Sequence, residues 1–321
     1  MQRLRTERGA VGVFTAMLMA TLLGMLGLAV DVGAMYDERR QLSNGADAAV
    51  LAIAEDCALG VASCDTSTAT LTARSFAAAN ARDNAAFIEN ISLDTAAKTV
   101  RVETSTLDPE GNRIFAPFFS QVLGWNGSTI YASASALWGY PKSMRNVLPL
   151  IISECELPQG FPAPYEILLF HDGNNAPDSC NAQAGHDMDG DGFLPGGFGW
   201  LVAGGGNCTI GLLETGDFVS ADPGSSPSNG CSALDLSGLI GEAIPLPVFI
   251  DLDGQGVGGT YEIFGFVLFV VEGYNFGGQY KVNPPCSGDQ RCVSGHFTTG
   301  TVHDGIPGGP NLGIVIVKLT G

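Results

Sequence analysis

The sequence predicts an α+β protein: an N-terminal transmembrane helix that continues into a helical stalk and small α+β unit, then an acidic, disulfide-linked all-β domain folded as a barrel or sandwich. Three observations predict it. An uncharged apolar run extends from Ala10 to Val30. Beyond it, helical periodicity gives way to short alternating runs separated by Gly-, Pro- and Asn-rich turns. Charge is also divided unevenly: residues 1–145 hold 12 Lys/Arg against 14 Asp/Glu, whereas residues 146–321 hold 3 against 19. The predicted segments are a cytoplasmic N-terminus (1–9), the transmembrane helix (10–32), stalk and α+β unit (33–140), a linker (141–146) and the acidic β-rich extracytoplasmic domain (147–321).

The apolar run comes first. Its 21 residues would span about 31 Å as a helix, close to the hydrocarbon thickness of a bilayer. Arg3, Arg5 and Arg8 precede it, and Asp31, Asp37 and Glu38 follow. That asymmetry places the N-terminus in the cytoplasm and the main domain outside. A signal peptide has an apolar region of about 7–15 residues, so this run reads as a retained anchor. Cleavage is the competing reading, because Ala29 and Gly33 offer small residues near its end. Gly12, Ala16, Ala20 and Gly24 recur every fourth residue and form a ridge on which another helix, or a second copy of this one, could pack closely.

The helical pattern does not stop at the membrane edge. Leu42, Ala46, Ala49, Val50, Ile53 and Cys57 share one face, with Asp37, Arg40, Asn44 and Asp47 opposite. The face from Leu42 to Ile53 is therefore expected to meet a partner helix. Residues 66–90 read as a second helix, Lys98–Thr106 and Ser128–Gly139 as strands, and "IFAPFFSQVLGW" as a short helix with Phe115, Phe118 and Phe119.

"RGAVGVFTAMLMATLLGMLGLAVDVGAMYDERRQLSNGADAAVLAIA", Arg8 to Ala54, resembles the N-terminal segment of TadE/TadG-like proteins of the Flp (tight adherence, Tad) pilus assembly system. The resemblance implies a bacterial inner-membrane protein, single-pass and facing the periplasm. It further implies a role in assisting pilus assembly, with other Tad membrane proteins and the lipid bilayer as partners. Pseudopilin members carry an acidic residue soon after a processing glycine. Here the first acid beyond Gly9 is Asp31, so prepilin processing is not expected. The D-x-S-x-S motif of a von Willebrand A domain is absent too, so that activity does not carry over.

From Val147 onward the candidate strands are 147–153, 165–170, 199–202, 244–250, 261–271 and 312–319, with a short helix near 233–243. Eight cysteines lie beyond the apolar run: Cys57, Cys64, Cys155, Cys180, Cys208, Cys231, Cys286 and Cys292. An even number outside a membrane reads as a disulfide set. Cys57/Cys64 and Cys286/Cys292 are close enough to close small loops, and the other pairings stay open. No C-x-x-C or C-x-x-H spacing suggests zinc. With so few basic residues the second half is not a nucleic-acid binder.

One motif suggests a metal. In "HDMDGDGF", Asp187, Asp189 and Asp191 with Gly192 occupy positions 1, 3, 5 and 6 of an EF-hand-like loop, and the carbonyl of Phe193 fits position 7. Phe198 stands at position 12, where a bidentate Glu would complete the site. Calcium is thus the one cofactor the sequence suggests, and a calcium-stabilised surface or adhesion module on a membrane anchor is the alternative function. Asp251 and Asp253 precede a Gly-rich loop and read as a turn. His171-Asp172 lacks a G-x-S-x-G serine or an H-E-x-x-H partner. Glu154 and Glu156 read as surface charges on a strand end. The chain is therefore expected to be non-catalytic.

Overall fold

The computed structural model describes residues 7–60, 62–108, 110–170, 180–181, 193–204, 207–254, 258–302 and 304–320. The chain splits into two compact units, Met1–Leu137 with Lys318–Gly321, and Trp138–Val317.

In the first unit, helix α1 (Glu7–Leu59) runs unbroken from the apolar segment through the stalk. Helix α2 (Thr66–Asn80) is opened by Asp65, whose carboxylate accepts hydrogen bonds from the Ser67 and Thr68 amides. This satisfies donors that have no partner within the helix. The Cys57–Cys64 disulfide closes the turn between the helices. Ala69, Ala73 and Ala77 form the buried face of α2. They pack where α1 offers Gly45 and Ala46. A Cβ on Gly45 would sit 3.0 Å from the Ala77 Cα, so the small side chains let the two helices approach closely.

Strands β1 (Phe87–Asp94), β2 (Thr99–Ser105) and β3 (Tyr131–Gly139) pair antiparallel in chain order. Val100, Val102, Thr104, Ala134 and Ala136 alternate onto the buried face. Thr104 Oγ1 donates to the Leu42 carbonyl of α1 at 3.3 Å. The second helix is shorter than the sequence suggested. It stops at Asn80, and Asn84 takes a left-handed φ of 57° that turns the chain into β1. Phe87 and Ile88 therefore belong to a strand. "IFAPFFSQVLGW" contributes only a 3-10 turn, Ser120–Leu123.

Among its described residues the second unit is all-β apart from one short helix, α3 (Ala233–Ser237), and a 3-10 turn at Glu154–Glu156. In chain order its strands are β4 (Pro141–Val147), β5 (Leu150–Ser153), β6 (Tyr165–Leu169), β7 (Cys180–Asn181), β8 (Phe193–Leu194), β9 (Phe198–Trp200), β10 (Ile210–Glu214), β11 (Phe218–Ser220), β12 (Ala243–Asp253), β13 (Thr260–Gly277), β14 (Tyr280–Val282), β15 (Cys292–Thr298), β16 (Gly300–Val302), β17 (Ile306–Pro307) and β18 (Ile314–Leu319), of which Ile314 to Val317 belong to this unit. The main sheet runs β6-β15-β13-β12-β5-β9, with β11 and β14 also on β13. A single parallel bridge, Phe170 to Phe198, joins its two ends, so the sheet curls back on itself as a barrel does.

Its interior is apolar and large: Ile152, Leu168, Phe198, Trp200, Phe269 and Phe297 are all buried there. The other face of β12 and β13 carries Phe249, Ile263, Phe266 and Leu268, covered by Met144, Val147 and Leu213 of a smaller sheet, β10-β4-β17. Burial on both faces explains why β13 reads as a nearly continuous apolar run. Two of its glycines permit close contacts: a Cβ on Gly273 would lie 2.3 Å from the Asn283 carbonyl oxygen, and one on Gly265 2.7 Å from Leu312.

Residues 141–146, expected as a linker, are strand in the structure. They form most of β4, which pairs with β10 and β17. Only Met144 and Val147 give it apolar character, and its partners lie far along the chain, so local composition concealed it. Four disulfides account for the eight cysteines: Cys57–Cys64, Cys155–Cys180, Cys208–Cys231 and Cys286–Cys292.

Candidate functional site: the membrane helix and its stalk

Among the described residues α1 is the one helix long and apolar enough to cross a membrane. Val11, Phe14, Leu18, Leu22 and Met25 are exposed along it. So are Gly12, Ala16, Ala20 and Gly24, and a Cβ at Gly12 or Gly24 would meet nothing within 4 Å. The small-residue ridge is thus uncovered by the described residues of its own chain.

The lower stalk behaves differently. Leu42, Ala46, Ala49, Val50 and Ile53 are all 0–2% exposed. The face expected to meet a partner helix is filled by α2 and the β2 strand of the same chain. Periodicity detected that the face is buried, and could not say whether the covering elements lay in another protein or later in this one.

A contact near the outer end of the apolar run was not foreseen. Asp31 is 3% exposed. Its carboxylate accepts from the Phe118 amide at 2.9 Å, the Phe119 amide at 3.0 Å, and the Ser120 amide and hydroxyl at 2.6 Å each. One turn earlier on α1, a Cβ on Gly27 would fall 2.9 Å from the Phe119 ring. At 100° per residue, Gly27 and Asp31 lie on the same side as the small-residue ridge. The lone acid ending the apolar run and the uncharged "FFSQVLGW" were the available signals, but they are separated by about ninety residues of chain, with no periodicity to link them.

The stalk carries several further carboxylates. Glu38 is pushed above the usual carboxylate range by partial burial and by Asp83 and Asp37, against the pull of Arg82. Asp37 accepts from Gln41 and pairs with Arg82, both at 2.8 Å. Hydrogen bonds from the Ser67 hydroxyl and the Thr68 amide hold the Asp65 carboxyl below that range.

No group of three His, Cys, Asp or Glu side chains able to hold a metal occurs among the described residues. Asp187, Asp189 and Asp191 lie outside the described residues, as does His171-Asp172. The backbone of Phe193 opens β8 and pairs with Asn181. Glu154 and Glu156 sit on a 3-10 turn rather than a strand end, and Glu156 accepts from the Gly197 amide. Asp251 is buried and its carboxylate accepts from the Leu252 amide at 2.9 Å.

Residues 9–55 match the family model described as putative Flp pilus-assembly TadE/G-like. The N-terminal helix is thus similar to that family over the matched residues. The match begins beside the apolar run and ends within the stalk, so it covers the membrane-crossing candidate and the face that α2 and β2 bury. No curated protein and no solved structure matches the chain.

Proposed function

We propose that this chain is a membrane-anchored accessory protein of Tad/Flp-type pilus assembly, working through helix packing and protein–protein contacts without catalysis. The observation that carries this reading is the TadE/G-like match on residues 9–55, which coincides with the one membrane-crossing candidate among the described residues and with its stalk. Arg3, Arg5 and Arg8 on one side and Asp37 and Glu38 on the other favour a cytoplasmic N-terminus with both folded units in the periplasm. Four disulfides suit an oxidising compartment.

The ridge Gly12–Ala16–Ala20–Gly24 is the proposed packing surface for another Tad membrane helix or a second copy of this one. The Phe119 ring on Gly27 occupies the same side one turn further out. A partner helix would therefore use the ridge only as far as Gly24, because the Phe119 ring covers Gly27 beyond it. The second unit supplies an acidic surface for protein contacts and no nucleic-acid binding.

Electron microscopy of a clean deletion strain tests the proposal. Loss of Flp-type pili, restored by the full-length chain, is the expected result. Unchanged piliation would overturn the assembly role and favour the calcium-stabilised surface module instead.

A further inference from the structure

The segment clamped by Asp31 has a property that neither packing nor pilus assembly uses. Residues 114–141 contain no charged side chain. Within them Phe118 is 80% exposed and Val122 87%, and Ile114 and Trp125 are a little under half exposed. Such residues are costly to leave in water when grouped on one tight turn.

The turn is nevertheless rigidly held. Phe115 and Ser128 exchange backbone hydrogen bonds at its base, at 3.0 and 3.3 Å. A Cβ on Gly127 would collide with the Phe115 carbonyl at 2.1 Å, so only glycine allows that approach. The Trp125 amide donates to the Ser120 carbonyl at 3.1 Å, closing the turn through Gly124, which has a φ of 83°.

Its height along α1 decides what it faces. Asp31 is the first charged residue after the apolar run, and Phe119 packs on Gly27, four residues or about 6 Å nearer the membrane centre. If α1 crosses a bilayer, the turn lies at the outer boundary of the hydrocarbon. A turn entering that layer must bring its backbone donors already satisfied, because lipid offers no acceptors. Asp31 does this for three consecutive amides and a hydroxyl. Aromatic side chains, tryptophan above all, are favoured at that depth.

We propose that the 114–125 turn is a second membrane contact. On this view Asp31 fixes it to α1 so that Phe118, Val122 and Trp125 enter the outer-leaflet interface of the bilayer that α1 crosses. The occupant of the apolar patch is lipid, continuous with the lipid around Leu26, Leu28 and Val30, which are exposed on α1 just beside it. Two attachment points would fix the tilt and rotation of the stalk relative to the membrane, which one helix alone leaves free. The inference rests on the membrane-anchor part of the proposed function and not on pilus assembly.

Nitroxide labels on the full-length chain in phosphatidylcholine nanodiscs test it. Single Val122→Cys, Leu22→Cys and Leu71→Cys variants place probes on the turn, in the apolar run and on the exposed face of α2; the eight native cysteines are occupied in disulfides. Collisions with oxygen and with a soluble nickel chelate report depth. The expected result is that residue 122 prefers oxygen severalfold, as residue 22 does, while residue 71 prefers nickel. Asp31→Ala should shift residue 122 towards the nickel-accessible state without moving residue 22. A label at 122 that matches 71, while 22 stays in lipid, would overturn the membrane contact and leave the anchor standing. Protection of residue 122 from both reagents would also overturn it, in favour of contact with a second copy. Loss of lipid exposure at residue 22 would instead overturn the anchor on which the proposal rests. No response of residue 122 to Asp31→Ala would overturn the role given to Asp31.

Discussion

The two units solve the packing problem with different side chains. In the first, Ala46, Ala49, Ala69, Ala73, Ala77, Ala134 and Ala136 make up much of the buried set. In the second, Trp200, Tyr274 and the phenylalanines 198, 249, 266, 269 and 297 dominate. Small side chains bring backbones close and leave little volume to lose, whereas large ones fill the interior of a curled sheet and leave a cavity when cut. The first unit should therefore be sensitive to added volume and the second to lost volume.

Phe269→Ala should have the largest effect. It removes a fully buried ring that meets Phe297 at 5.0 Å, and truncation of such a ring costs about 3–5 kcal/mol. Denaturant unfolding of the full chain in detergent would measure it. The comparison fails if the cost is no greater than that of a surface substitution. Next comes the Cys208–Cys231 bridge, which spans 23 residues of the second unit. Replacing both cysteines by serine should cost about 2–4 kcal/mol, read as a lower unfolding midpoint. Ala77→Leu tests the opposite sensitivity. The bulk has to enter where α2 already touches Gly45, and overpacking of that kind costs about 1–3 kcal/mol. Faster amide exchange in α2 would report it, and an unchanged pattern would show that the helices have slack.

Smaller still is Asp65→Ala, which removes the α2 cap for about 1 kcal/mol and should raise exchange in the first turn of α2. Glu38→Gln gives the finest test because its sign depends on pH. The folded chain raises the Glu38 pKa, so it favours the protonated form. The native state then binds more protons than the unfolded state, and the Glu38 contribution to stability falls as pH rises through the folded pKa. Glu38→Gln should be more stable than wild type at neutral pH. The difference should vanish below the ordinary glutamate pKa of about 4.3. Unfolding midpoints at several pH values would check this, and a variant less stable than wild type at neutral pH would reverse the assignment.

What the sequence made legible followed period and composition. The apolar run, the stripe from Leu42 to Ile53, the β-rich second half and the disulfide set all depend on local pattern. What it concealed depends on partners distant along the chain. β4 is a strand because β10 and β17 flank it, not because "PKSMRNV" looks like one. The Leu42–Ile53 stripe reads as a face for a partner helix, and its cover, α2 and β2, comes from later in the same chain. The clamp at Asp31 joins residues whose individual patterns, an acid after an apolar run and an uncharged aromatic segment, give no sign that they meet.

In the proposed function the membrane helix serves pilus assembly through its small-residue ridge. The direct test is to complement the deletion strain with the full-length chain in which Gly12, Ala16, Ala20 and Gly24 are all replaced by leucine, and to count pili by electron microscopy. The expected result is a variant that is present in the membrane at wild-type level but leaves cells with few or no pili. Full piliation by that variant would contradict it and move the function to the stalk or to the acidic β unit.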